Sequence, residues 1–194
     1  MLHARWMLVV AAVLAVLIVA GQAAYAKEEA KAKVELPDAV AKALATICPN
    51  AKIIVTQAEQ ETVEGITVFD IEFTAGTAKM EAEITADGTI LETSAVVDLN
   101  VVPEAVVKVF KAAAEGATIK QVERSEARAE IKKGEGGKGA IVALAAPRIV
   151  FEAELVKGDQ EGEIEVAADG TVVEPLKWKK AGEKEDEHKG EAKK

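Results

Sequence analysis

This chain repeats itself. Leu36-Pro37-Asp38-Ala39-Val40 recurs as Val102-Pro103-Glu104-Ala105-Val106, and Ala86-Asp87-Gly88-Thr89 recurs as Ala168-Asp169-Gly170-Thr171. Between these landmarks Phe69-Asp70-Ile71-Glu72 is answered by Phe151-Glu152-Ala153-Glu154. Repetition constrains the fold more than any single residue, because each copy must build the same supersecondary unit. Each unit runs from a Pro-led helix through alternating strands to an Asp-Gly turn. The expectation is an α+β fold of two tandem modules, each one helix packed on an antiparallel β-meander sheet, over residues 36–97 and 98–176.

Local patterns support the unit. Pro37 suits a helix start, and Val40, Ala43, Leu44 and Ile47 recur at helical spacing until Pro49 stops the run. Phe69, Ile71 and Phe73 alternate with Asp70, Glu72 and Thr74, and Met80, Ala82 and Ile84 alternate with Glu81 and Glu83. One face of the sheet is therefore apolar and meets the helix. A hairpin loop at Ala75-Gly76 would oppose Phe73 to Ala78 and Asp70 to Glu81, and one at Lys157-Gly158 would oppose Phe151 to Ile164, Glu152 to Glu163 and Glu154 to Glu161. Asp87-Gly88 would oppose Ile84 to Leu91, and Asp169-Gly170 would oppose Val166 to Val173.

The copies are offset by 66 residues at the prolines and 82 at the Asp-Gly turns, so the second carries 16 extra residues. These fall near 130–147, where Lys132 to Gly139 reads as a flexible basic hairpin tip. Its glycines and lysines lack the preceding strand and the Gly-Lys-Ser/Thr ending of a phosphate loop.

At the N-terminus His3 and Arg5 precede the apolar run Met7 to Ala20, followed by Ala24-Tyr25-Ala26. This is the pattern of a secretory signal peptide over residues 1–26, and 14 apolar residues fall short of the roughly 20 that span a bilayer. Export to the periplasm or the medium follows, and the chain would sit at a membrane only if residues 1–26 were retained. Residues 27–35 form a charged leader, and 177–194 read as a disordered charged tail. Removing residues 1–26 takes Arg5 and no acid, leaving 23 basic against 33 acidic residues and a net charge of −10. Nucleic acid is a poor partner for such a surface.

Catalytic chemistry is hard to assemble from these residues. Beyond residue 26 the sole histidine is His188 in the tail and the sole cysteine is Cys48, so neither a nucleophile–base arrangement nor a zinc site can be built. Carboxylates are plentiful, but paired-acid hydrolases use concave, aromatic-lined pockets, and aromatics are 4% of the chain. Cys48, between Ile47 and Pro49, reads as a small buried apolar residue, with a reactive thiol as the alternative. The reading is non-enzymatic, with no cofactor.

The Pro-Asp/Glu-Ala-Val helix start, the exits Asn50-Ala51-Lys52-Ile53 and Gly116-Ala117-Thr118-Ile119, the alternating strands and the closing Asp-Gly-Thr resemble the PepSY domain, at Leu36 to Thr93 and again at Val102 to Glu174. Phe69 and Phe151 stand where that family often has Tyr. Two tandem copies are also similar in arrangement to β-lactamase-inhibitory-protein-like proteins. The resemblance implies an exported, non-enzymatic module that binds and restrains peptidases or related envelope enzymes, and it carries no catalytic residues.

The candidate partner-binding residues lie on the outward face of the sheet: Asp70, Glu72, Glu81 and Glu83 in the first copy, Glu152, Glu154, Glu163 and Glu165 in the second. Like charges directly opposite one another cost stability. Three readings stay open: a solvated face that maintains solubility, a face for the basic surface of an exported protein such as a peptidase, or a weak Ca²⁺ site. A membrane-tethered structural or sensory spacer is the alternative to a binding module.

Overall fold

The computed structural model describes residues 35–134 and 138–182. The signal segment 1–26, the leader to residue 34 and the tail from 183, including His188, lie outside the described residues. Helix α1 (Asp38–Ile47) leads into strands β1 (Ile53–Val63), β2 (Ile66–Ala75), β3 (Ala78–Thr85) and β4 (Ile90–Val96). A 3-10 turn (Leu99–Val101) and helix α2 (Glu104–Ala113) follow, then β5 (Thr118–Lys133), β6 (Gly139–Lys157), β7 (Gln160–Ala167) and β8 (Val172–Lys180).

The eight strands form one antiparallel sheet in sequential order. The expectation of two tandem modules, each with its own sheet, is therefore overturned, and the fold is mostly β with two helices. The cause is the pairing of β4 with β5, from Glu92↔Ala127 to Val96↔Glu123. A free edge on each unit would leave a row of backbone groups unpaired, and joining the edges satisfies both. The first residues of the segment 177–194, expected to be disordered, are strand. Lys177 to Lys180 complete β8, and Trp178 packs on the second core.

Both helices lie on the same face of this sheet. Val40 and Leu44 of α1 bury against Phe69, Ile71, Phe73, Ala82 and Ile84. Val106 and Phe110 of α2 bury against Val122, Phe151, Ala153, Leu155, Ile164 and Val166. The row Phe73↔Met80↔Ala95↔Arg124↔Phe151↔Val166 runs across six strands and ties the two footprints to one side.

The Asp-Gly repeat has a packing explanation. In each copy the glycine takes φ +90° and comes up against the helix N-terminal turn: a Cβ on Gly88 would lie 2.9 Å from the Ala39 carbonyl oxygen, and one on Gly170 3.0 Å from the Ala105 Cβ. Asp87 and Asp169 close these turns by accepting from the Thr89 and Thr171 backbone N–H groups at 3.1 and 2.9 Å.

Two hairpins turn one residue later than expected. Gly76 (φ +65°) and Gly158 (φ +63°) take the first loop position, as a type II′ turn requires. Ala75 therefore pairs with Ala78, and Lys157 with Gln160. Partners shift by two residues, which keeps every side chain on its face while changing what it opposes: Phe73 meets Met80 and Phe151 meets Val166. Bulges adjust the Asp-Gly hairpins, so Ile84 pairs with Ile90 and Val166 with Val172.

The extra residues of the second copy lengthen β5 and β6 into a hairpin arm, with Ile131 paired to Ile141 and Lys133 to Gly139; residues 135–137 of its tip are outside the described residues. The arm docks on the β1–β2 turn. The Gly139 N–H donates to the Glu64 carbonyl at 2.7 Å, and Ala129, Ile131 and Ile141 join Val63, Ile66, Val68 and Leu91 in a third apolar cluster.

Candidate functional site: the acidic sheet face

The face opposite the helices gathers all eight candidate carboxylates. Register decides how. Because the hairpins turn one residue late, Asp70 opposes Glu83, Glu72 opposes Glu81, Glu152 opposes Glu165 and Glu154 opposes Glu163. The expected oppositions Asp70 to Glu81, Glu152 to Glu163 and Glu154 to Glu161 are replaced, and every candidate acid now faces another. Glu92 on β4 and Glu123 on β5, not singled out from the sequence, extend the array. Glu59↔Asp70↔Glu83↔Glu92 forms one row across the first four strands, and Glu123↔Glu152↔Glu165↔Glu174 forms a second across the last four. For Glu123 the visible signal was position parity, since Val122 beside it points the other way, whereas the bulge at Leu91 hides it for Glu92.

The array has two parts. In the second copy lysines pair with carboxylates: Lys120 of β5 reaches Glu154 of β6 at 2.7 Å, and at the β8 edge Lys179 reaches Glu163 at 3.0 Å and Lys177 reaches Glu174 at 3.1 Å. Over the middle, among the described residues, Asp70, Glu72, Glu81, Glu83, Glu92, Glu123, Glu152 and Glu165 form no ion pair. These side chains are half-buried. One end of the face is filled by Val68, which shares the parity of Asp70 and Glu72, beneath the docked arm.

Burial and crowding disfavour the charged forms. Loss of water around Asp70, followed by repulsion from Glu61, Glu59, Glu72 and Glu92, pushes its carboxyl from 3.8 to about 7. Glu81 rises from 4.5 to about 7, by burial and then repulsion from Glu123, Glu72, Asp70 and Glu92. Glu83 rises to about 8 through burial and then Asp70, Glu92 and Glu61. Glu152 rises to about 8 through burial and then Glu163, Glu123, Glu165 and Glu81. Burial also raises Glu92, Glu123 and Glu165; the Ser125 hydroxyl and Arg148 restrain Glu92, and Gln121 restrains Glu123. On the helix side the contrast is clear, since Arg124 and Arg128 hold Glu126 below its ordinary range.

A sheet face of this kind can accept cations from a partner, each arriving charge restoring ionisation to a neighbouring carboxylate. Strands hold the acids in extended rows, and among the described residues no group of three or more His, Cys, Asp or Glu is arranged to hold a metal ion. Cys48 is half-buried at the end of α1, its thiol 3.5 Å from the Met80 thioether. No described helix is long and apolar enough to cross a membrane.

An eight-stranded antiparallel sheet with two helices on one face and an open opposite face defines a fold shared with known structures. A BLIP-like protein from Bacteroides fragilis is 18% identical with a TM-score of 0.53, over 78% of this chain and 92% of that one. A DUF2874 family protein from Bacteroides uniformis is 14% identical with a TM-score of 0.52, over 74% and 90%. A candidate periplasmic protein from Bacteroides eggerthii is 15% identical with a TM-score of 0.51, over 75% and 90%. At these identities the likeness is one of fold. No family model matches the chain, so none assigns it to the PepSY family, and no curated protein matches it.

Proposed function

We propose that this chain is an exported, non-enzymatic protein-binding module whose acidic sheet face holds a basic surface of another exported protein, a peptidase or related envelope enzyme being the class that fits. The observation that carries this reading is the central set of half-buried carboxylates that form no salt bridge among the described residues, with Arg148 easing Glu92 and Glu165, beside a flank where lysines pair with the acids. A face serving solubility alone gains nothing from crowding acids until they resist ionisation, because dispersed charges solubilise equally well at lower cost. A partner presenting Lys or Arg would remove that repulsion on binding. Export is supported by the pattern of residues 1–26 and by the candidate periplasmic neighbour, and a binding role by the BLIP-like neighbour.

The test is affinity capture from the native envelope and secreted fractions, comparing the wild-type chain with an Asp70→Asn, Glu83→Gln, Glu152→Gln variant. Neutralising these residues relieves repulsion, so lost binding is not explained by unfolding. Enrichment of an exported enzyme by the wild type and its loss in the variant supports the proposal. Equal capture by both proteins removes the acidic face from the account.

A further inference from the structure

The sheet ends in two edges that have no neighbouring strand among the described residues, β1 and β8. They are not unrelated edges. Within the repeat β1 corresponds to β5, and β8 to β4. The same one-residue bulge marks the first pair, between Val55↔Phe73 and Gln57↔Glu72 in one copy and between Ile119↔Leu155 and Gln121↔Glu154 in the other. Glu59 thus takes the place of Glu123, and Glu61 that of Ser125. On the other side Glu81↔Ser94 and Glu163↔Lys177 correspond, so Lys177 takes the place of Ser94, and Lys179 that of Val96.

Strands β4 and β5 join inside the chain with Ser94↔Ser125 and Val96↔Glu123 as rungs. Transferring that junction to the free edges sets Lys177 of one copy opposite Glu61 of the next, and Lys179 opposite Glu59. All four residues lie on the acidic face. We propose that β8 of one copy adds to β1 of a second copy of this chain in the register of the β4–β5 junction, extending the sheet head to tail. Of the five rungs of the internal junction, Glu92 to Val96, the three from Ser94 to Val96 transfer to Lys177, Trp178 and Lys179, because β8 carries one more residue than β4 between the positions matching Glu92 and Ser94. Pro175 lies at the β8 bulge between Glu174 and Lys177, out of the regular ladder, where a missing N–H is tolerated. The interface is heterologous, so it propagates from copy to copy, as a ring or an open chain according to its rotation, and is not satisfied in a two-fold dimer. Opposite charges on the two edges give it direction, since β1 against β1 would bring acids together.

The experiment is sedimentation velocity on the chain recovered after export, in reductant, over a concentration series at low and high salt. Expected is concentration-dependent association that weakens with salt. Glu61→Lys and Lys177→Glu should each weaken it by about tenfold. The double variant carrying both changes should restore it, because the exchanged charges again oppose each other, and an equimolar mixture of the single variants should associate as well. The restoration arms separate a lost contact from a misfolded strand. A chain that stays monomeric throughout the series, or association indifferent to both reversals, or a double variant no better than the singles, overturns the proposal.

Discussion

Replacing Glu152 with Gln should stabilise the protein at alkaline pH and leave it nearly unchanged in acid. Glu152 stands between Glu123 on β5 and Glu165 on β7. Its carboxyl is pushed from 4.5 up to about 8, burial being the larger cause and repulsion from Glu163, Glu123 and Glu165 the next. The folded chain therefore keeps a proton that the unfolded chain releases. Stability from this group is fully present below about pH 4.5 and is lost as pH rises through about 8. Each pH unit in that interval is worth about 1.4 kcal/mol, which sets an unscreened ceiling of about 4 kcal/mol at pH 8. Water at the open side of the face screens the charge, and the neighbouring acids keep part of the repulsion. The net gain for Glu152→Gln is therefore about 1–2 kcal/mol at pH 8 and under about 0.5 kcal/mol at pH 5. Urea denaturation of both proteins at the two pH values measures this as a shift in midpoint at constant slope. A neutral or destabilising Gln at pH 8, or an equal gain at both pH values, would refute the electrostatic reasoning.

Other expectations follow from the same geometry. Gly88→Ala should cost about 2–3 kcal/mol by thermal unfolding, since the added methyl meets the Ala39 carbonyl at 2.9 Å and φ is +90°; Gly76→Ala, where nothing lies within 4 Å, should cost about 1–2 kcal/mol from φ alone. Phe110→Ala, fully buried under α2, should cost about 3–5 kcal/mol and lower a single calorimetric transition. Two separable transitions would contradict a sheet that is continuous through the β4–β5 junction. Binding of a captured partner should tighten from pH 6 to pH 8.5, as Asp70, Glu81, Glu83 and Glu152 ionise, and weaken with added salt; isothermal titration calorimetry reads both, and tighter binding at low pH would count against the face.

Much of each unit is readable because its signals are local. The helix from Asp38 to Ile47, the alternation of β2 and β3, and the Asp87-Gly88 and Asp169-Gly170 turns are set by residues close in sequence. The carboxylates were assigned to the correct face because a two-residue slip preserves parity. Their partners were not, because whether Gly76 opens or closes its loop depends on twist, which sequence alternation does not report. Strand β1 gives little warning: Ile53-Ile54-Val55 is a continuous apolar run followed by polar residues, and its bulge at Thr56 breaks the period. The merging of the two sheets depends on the path of residues 97–117, which carry the chain from β4 through α2 to β5. The hairpin end expected at Lys132 to Gly139 is where the chain reverses, but the docking of the arm is not legible, because the apolar partners of Ile131 and Ile141 lie far back at Val63 and Val68.

The claim that an exported partner lies on the acidic face is tested most directly by zero-length carbodiimide cross-linking of the captured complex, with the linked peptides identified by mass spectrometry. Partner lysines should couple to Asp70, Glu83, Glu92, Glu123 and Glu152, central carboxylates that form no salt bridge among the described residues. Cross-links confined to Asp38, Glu104 and Glu115 on the helix side, with none on the sheet, would contradict the account.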